Sequence, residues 1–283
     1  MFAELCCTSN FTFLTGASHP EEYVMRAHAL GYSGIGVTDE ASVSGAVRAH
    51  LTSQTLNIPM VHGSRFRIDK QLELTFLASN RKAWGELGQL ISLARRRSSK
   101  GTYQLTRRDL IGYTDTLLCL WHPHPQALDW TSQIESLSYA FRGRFWIAAH
   151  LPESGHQADL AERIDLTAFE WNLPVVATQR PLMHIRQRLK LQHTLTAIRL
   201  GAPIIEIADQ LERSSERTLM DQHGLKQRYP STWLHESLNI LDRFDFSLSD
   251  LRYEYPKEIC PPQYNNEQAF LRDLVFEGAK RRW

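Results

Sequence analysis

Long apolar runs are missing from this 283-residue chain. No stretch approaches the roughly 20 apolar residues that a helix needs to cross a bilayer, and Met1 leads into no charged-then-apolar export signal. Surplus charge of either sign is missing too. Lys and Arg together number 32 against 31 Asp and Glu, a formal net charge of +1. No global charge therefore favours nucleic acid or a membrane surface, and any basic patch has to be local. Cysteine is scarce. The four present, Cys6, Cys7, Cys119 and Cys260, follow no zinc-type spacing. Adjacent Cys6 and Cys7 on a strand would point to opposite faces, against the geometry of a disulfide and against one shared ion. Free thiols in a reducing cytoplasm are the expectation. Internal repeats and low-complexity linkers are also absent.

What is there suits a globular protein of one large domain or two modest ones: 42% hydrophobic and 22% charged residues, enough to build a buried core. Pro20 followed by Glu21 and Glu22 reads as a helix start, with Ser18 or His19 as cap. Tyr23, Val24, Ala27 and Leu30 recur at helical spacing before Gly31. Ile35 and Val37 mark a short strand. Helices are expected near Val43–Leu56, Lys82–Arg96, Gln126–Ile134 and Ala158–Trp171. Strands are expected over Ile58–Ile68, Leu72–Leu77, Thr116–Trp121, Phe145–Leu151 and Pro174–Thr178. Such alternation predicts a mostly parallel sheet in an α/β fold, closed into a barrel rather than open. From Ile185 the pattern turns helical, and another helix is expected over Thr232–Phe244. Pro256 and the Pro261-Pro262 pair suggest a stiff crossing between domains. The chain stops at Lys280–Trp283 inside a helical pattern that begins near Glu267, without a stop signal. A piece of a longer protein is the expectation.

The first forty residues carry the most information. Phe2–Glu22 (FAELCCTSNFTFLTGASHPEE) and Gly34–Glu40 (GIGVTDE) together read as strand, loop, helix, strand. They resemble the opening of the PHP (polymerase and histidinol phosphatase) domain of bacterial DnaE-type DNA polymerases, and in particular the error-prone, damage-induced subgroup. Leu195–Gly201 (LTAIRLG) and Leu251–Pro256 (LRYEYP) resemble the same subgroup. The resemblance covers essentially the whole chain. It implies a PHP-type (β/α)7 barrel core over residues 1–200, a mainly helical remainder over 201–255, and a linker leading into a polymerase palm over 256–283.

In such a barrel the site lies where loops converge at the C-terminal ends of the strands. Metal-binding members of the family carry His and carboxylate ligands there, able to hold ions that activate water and bind phosphate oxygens. At those places this sequence departs from the family pattern. Cys6 and Thr8 stand where the first strand has His-x-His, and Thr15 where Asp is expected. Asp39 is kept, but Glu40 replaces His. Arg65 in Gly63-Ser64-Arg65 occupies an acidic place, and His150 stands where relatives often have Glu. Arg180 and Leu182 occupy the Asp-x-His positions. A guanidinium stays protonated and repels an ion, so Arg65 and Arg180 are expected to pair with Asp39 or Glu40 as a salt-bridged plug across the barrel mouth.

The resemblance therefore implies a PHP domain with no metal and no catalysis, structural within a parent that is a DNA-directed DNA polymerase of translesion synthesis and damage-induced mutagenesis. For the parent it implies Mg²⁺, primer–template DNA, a sliding clamp and mutasome proteins as cofactor and partners, and no membrane. Two alternatives stay open: a residual metal-dependent phosphoesterase or proofreading exonuclease using His150, Asp39, Glu40 and Cys6, and a docking module for mutasome partners. His122-Pro123-His124 reads as a surface loop. The basic run Arg95–Lys100 reads as a solvated loop, because no aromatic stacking platform accompanies it. Arg186, Arg188 and Lys190 read as one basic helical face. No DNA-binding residue is assigned.

Overall fold

The computed structural model describes residues 1–68, 72–127, 129–153, 155–212, 214–252 and 260–283. Pro256 and most of the Leu251–Pro256 stretch lie outside the described residues. Two compact units are present, Met1–Phe246 and Ser247–Trp283. The first contains β1 (Ala3–Cys7), α1 (Pro20–Ala29), β2 (Gly34–Val37), α2 (Ala46–Leu56), β3 (Met60–Ile68), β4 (Leu72–Leu77), α3 (Arg81–Arg96) and β5 (Leu118–His122). It continues through α4 (Thr131–Ala140), β6 (Phe145–Ala149), α5 (Gln157–Trp171), β7 (Val175–Ala177), α6 (Leu189–Leu200), α7 (Gln222–Arg228) and α8 (Ser231–Leu241). The second unit holds α9 (Glu267–Arg282), begun by Asn266, whose Oδ1 accepts the Ala269 N–H at 2.9 Å.

The seven strands form one sheet in sequence order, β1 to β7. The sheet is mostly parallel, as the strand–helix alternation predicts, but β4 runs antiparallel to both β3 and β5. The cause is length: the connection between Ile68 and Leu72 is far too short for a crossover, which takes a dozen residues or more. The reversal puts the start of β4, rather than its end, beside the C-terminal ends of the parallel strands. The helix expected at Gln126–Ile134 forms later, at Thr131–Ala140, because a turn closed by Ala127 N–H on the His124 carbonyl (3.0 Å) takes up the preceding residues. Helix α2 likewise starts at Ala46 rather than Val43.

Alternation along the strands sorts the core into two layers. Inside the curled sheet lie Ala3, Leu5, Val61, Leu77, Leu118, Leu120, Trp146, Ala148 and Val176. Their neighbours, such as Cys119, Trp121, Ile147 and Ala177, face outward into a larger cluster that includes the buried faces of α1, α3 and α4. Helix α8 packs against both β1 and β7 and adds Ile240 to the inner cluster. Its Ser237 Oγ accepts the Ala3 N–H at 3.0 Å, and its Glu236 accepts the Trp146 indole N–H at 2.7 Å.

Strands β1 and β7 are the two ends of the sheet, and side chains rather than a strand ladder join them. The fully buried Glu4 accepts the Thr178 hydroxyl at 2.6 Å, the Gln179 backbone N–H at 2.7 Å and the Cys6 N–H at 3.0 Å. Gln179 continues the seam, donating to Tyr32 Oη at 2.8 Å, and Tyr32 donates to the Met220 carbonyl at 2.7 Å. Just above, Thr8 N–H donates to the Pro181 carbonyl at 3.0 Å. Burial pushes the Glu4 carboxyl upward, opposed by these donors. On the outer layer His62 is buried against Trp84 and Phe246, and burial together with His50 lowers its pKa to about 4.

Two outcomes follow from these burials. Glu4→Gln turns an amide N–H₂ toward groups that are themselves donors, and is expected to destabilise the fold by about 1–3 kcal/mol; an unchanged urea midpoint would show that the seam is held by something else. For His62 the folded chain refuses a proton that the unfolded chain takes up below about pH 6.5, so this contribution is complete above that pH and is lost as pH falls toward 4. Thermal melts from pH 7.5 to 4 should therefore show a shallower acid limb for His62→Gln than for the parent sequence; parallel limbs would contradict the assignment.

Candidate functional site at the strand ends

The C-terminal ends of β1, β2, β3, β5, β6 and β7 and the start of β4 converge on one polar mouth. The loop after β1 is fixed first. Gly16 packs so closely on the Ser9 carbonyl that a Cβ would sit 2.1 Å from the oxygen, and this fold-back holds Ser9 and Thr12 against Asp39. Asp39 Oδ1 accepts the Ser9 N–H at 2.8 Å and the Thr12 hydroxyl at 2.7 Å, and Oδ2 accepts the Ser9 hydroxyl at 2.7 Å. Burial raises its pKa against those hydrogen bonds. Asp39 thus anchors a loop and makes no ion pair among the described residues. Thr15 lies on the same loop, its hydroxyl 3.4 Å from the Phe13 carbonyl.

The charged centre consists of Glu40, Arg65, Glu73 and Arg180. Arg65 Nη2 lies 3.2 Å from Glu40 Oε2, and its Nε lies 3.5 Å from Glu73 Oε1. Arg180 donates from Nη2 to the same Glu73 oxygen. Burial alone would push the Glu73 carboxyl up, but Arg180, then Arg65, hold it far below the carboxylate range. Glu40 also accepts the Tyr103 hydroxyl at 2.8 Å and has Arg67 Nε at 3.8 Å. The expected partner of Arg180 is Asp39 or Glu40; the structure corrects it to Glu73, while the expected Arg65–Glu40 pair is present. Arg180 reaches inward from a left-handed backbone (φ 47°), and its carbonyl accepts Arg217 Nε at 3.0 Å. Arg217 in turn pairs with Glu212 at 2.7 Å.

Around this centre the remaining positions are occupied as follows. Cys6 is buried, its thiol pushed up to about 12 by burial and by Glu4, so it stays protonated. Thr8 is buried, and its carbonyl accepts the Tyr23 hydroxyl at 3.0 Å. Leu182 lies apart, packed with Ala17 and Met183 in a small apolar cluster. His150 Nδ1 donates to the Thr178 carbonyl at 3.3 Å, and burial, then Arg217 and Arg180, keep the ring neutral. His122, read as part of a surface loop, instead ends β5 as a buried side chain. Its Nε2 meets Thr75 Oγ1 at 2.8 Å, and burial followed by Arg180 lowers its pKa to about 3. Arg95, read as part of a solvated loop, sits in the last turn of α3. Its guanidinium bonds the Ala41 and Glu40 carbonyls at 3.1 and 3.2 Å.

Glu73, Tyr103, His122 and Arg217 are the site residues that the sequence reading did not assign. Glu73 had a usable signal: it is the charged member of the alternating strand Leu72-Glu73-Leu74-Thr75-Phe76, whose reversed direction delivers its first residues to the mouth. Chemically the arrangement is an alternating chain of carboxylate, guanidinium, carboxylate, guanidinium. Among the described residues no group of three or more His, Cys, Asp or Glu side chains is placed to hold a metal ion. The donors that are present are engaged: Asp39 is saturated by hydroxyl and amide donors, Glu40 and Glu73 by guanidiniums, and Cys6 keeps its proton. This donor set does not fit a divalent cluster.

Removing one arginine should leave Glu73 short of its nearest partner. A fully buried pair broken in this way costs about 3–5 kcal/mol; with the side chains of Arg180 and Glu73 20% and 18% exposed, Arg180→Ala is expected to cost about 1–3 kcal/mol. The double variant with Glu73→Gln should recover part of that loss. Strictly additive losses in the two single variants would mean that the pair is not coupled.

The sequence model described as the PHP domain matches residues 4–162. Over 284 residues the chain is 41% identical to the error-prone DNA polymerase of Methylococcus capsulatus, covering 100% of this chain and 27% of that protein. It is 38% identical over 286 residues to the error-prone DNA polymerase of Vibrio vulnificus, with coverage of 100% and 27%. The chain thus spans about a quarter of the length of these relatives. Among solved structures, an amidohydrolase from Chromobacterium violaceum aligns with a TM-score of 0.46 at 16% identity, covering 63% of this chain and 86% of that one. A two-domain protein from Bacteroides vulgatus containing a predicted PHP-like metal-dependent phosphoesterase aligns with a TM-score of 0.48 at 11% identity, covering 86% of this chain and 69% of that one. Since the family match runs over more than half of the sequence, from the first strand into the fifth α-helix, this chain belongs to the PHP domain family.

Proposed function

We propose that the chain is the PHP portion of an error-prone DNA polymerase, and that this portion is a structural domain without bound metal or hydrolytic activity. The affiliation is supported by identity of 38–41% along the full chain to proteins of that name. The structural role rests on one observation: the Glu40–Arg65–Glu73–Arg180 chain fills the strand-end mouth. Hydrolysis of a phosphoester there would need a water activated by a metal or by a base of suitable pKa. The neutral imidazoles of buried His122 and half-buried His150 lie beside guanidiniums that oppose their protonation, while Glu40 and Glu73 are held in ion pairs and Asp39 by hydroxyl and amide donors.

On this reading, template-directed nucleotidyl transfer with Mg²⁺ belongs to the part of the polymerase that this chain does not contain. Primer–template DNA, a sliding clamp and the other proteins of a mutasome are partners of that whole, in translesion synthesis and damage-induced mutagenesis in the cytoplasm. No helix among the described residues is long and apolar enough to cross a membrane. The barrel contributes a rigid body, internally cross-linked by charge, on which the polymerase is built.

Elemental analysis of the purified chain after dialysis against zinc or manganese tests the proposal, run beside hydrolysis of a generic phosphodiester and of primer DNA. Far less than one ion per chain and no metal-stimulated hydrolysis are expected. A stoichiometric ion, or hydrolysis that disappears in His150→Ala, would overturn the structural reading and favour a residual phosphoesterase.

A further inference from the structure

A second concave surface is lined by residues other than those of the charged centre. Arg26 of α1, Glu153, Gln157 at the start of α5, residues 185–187 and 218–221 and helix α7 line a cleft of about 730 Å³, within the range of small-ligand sites. Its walls are polar rather than apolar, which argues against a hydrophobic ligand. We propose that this cleft binds a small phosphate-bearing ligand of mononucleotide size.

The argument starts from unmatched charge. The basic residues around the cleft are mostly paired: Arg188 with Glu22, Arg217 with Glu212, and Arg228 with both Glu153 and Glu216. Arg26 and Arg186 line the cleft and have no carboxylate partner among the described residues. Arg26 Nε is in addition buried without a hydrogen-bond acceptor, so this guanidinium keeps donor capacity unused within the chain. A guanidinium presents a planar fork of donors matched to phosphate oxygens, and two of them in one cleft can grip one phosphate.

The rest of the wall suits the remainder of a nucleotide. Gln157, Gln187 and Gln227 line the same cleft and offer both amide donors and carbonyl acceptors, the pattern that a base edge requires. Asp221 also lines it. One of its oxygens caps α7 through the Gly224 N–H at 2.8 Å, and the other is an acceptor for a sugar hydroxyl. The acidic wall residues, Asp221 and the Arg228-paired Glu153, would disfavour a polyanion such as a long single strand more than a mononucleotide, whose single phosphate can stay on the arginine side.

Isothermal titration of the purified chain with dAMP, pyrophosphate, inorganic phosphate and a short oligothymidylate tests the proposal. Saturable one-to-one binding of dAMP, tighter than inorganic phosphate, is expected. Arg26→Gln and Arg186→Gln should each raise its Kd at least about tenfold without changing the melting temperature, while Lys190→Gln, an exposed cation on α6 outside the cleft, should leave it unchanged. No saturable binding, or an equal loss in Lys190→Gln, would overturn the site as built. Inorganic phosphate binding as tightly as dAMP would overturn the nucleotide assignment. Oligothymidylate binding more tightly, with affinity rising with length, would replace the cleft with a nucleic-acid surface.

Discussion

A sheet that curls around its own core brings its two terminal strands together, and their unsatisfied polar groups must then find partners away from water. Here a carboxylate provides them. Glu4 lies at the seam between β1 and β7 and accepts from both sides, including a hydroxyl and a backbone N–H contributed by the chain just after β7. The position of that chain sets the position of Gln179, then Arg180, then the loop that carries Arg217. Helix α8 meets the same two strands from within the fold, through Ser237 and Ile240. Register at the seam therefore governs the geometry of the mouth above it.

At the mouth the governing quantity is charge balance in a partly dry space. A guanidinium cannot shed its charge, so each arginine brought to the strand ends requires an anion within reach. Glu40 and Glu73 fill that role for Arg65, and Glu73 also serves Arg180. The two neutral histidines, His122 and His150, sit within the positive field of these groups, which acts with burial to keep protons off them. The outcome is a mouth whose carboxylates are committed to guanidinium, hydroxyl and amide donors and whose imidazoles stay neutral.

Much of this was legible in the residues. The strands, α1 and α3, and the departures at Cys6, Thr8, Arg65 and Arg180 follow from periodicity, cap chemistry and the resemblance of the opening forty residues. The partner of Arg180 was not legible, because barrel sites gather at the ends of strands and Glu73 stands near the beginning of one. Only the antiparallel run of β4, forced by its short connection to β3, delivers Glu73 to the site. His122 was misplaced for a related reason: His-Pro-His at a strand end reads as loop, and its hydrogen bond to Thr75 depends on a neighbour 47 positions away. Arg217 and Tyr103 come from irregular segments whose course no periodic pattern encodes.

The shared use of Glu73 also bears on how such a mouth can change over generations. Replacing Arg65 by an acidic residue, the type that the resemblance implies for metal-binding members of the family, would leave Glu40 without its closest cation. It would also weaken the hold on Glu73 and add one more carboxylate to those of Asp39, Glu40 and Glu73, with no ion yet able to bind. An uncompensated buried charge costs about 3–5 kcal/mol, a large part of the about 5–15 kcal/mol that holds a typical domain together. Replacing Arg180 first meets the same obstacle from the other side. Each single step toward a ligating set passes through a less stable protein, and the full set requires several at once. The ion-paired mouth thus acts as a ratchet: easy to keep, and hard to reverse one residue at a time.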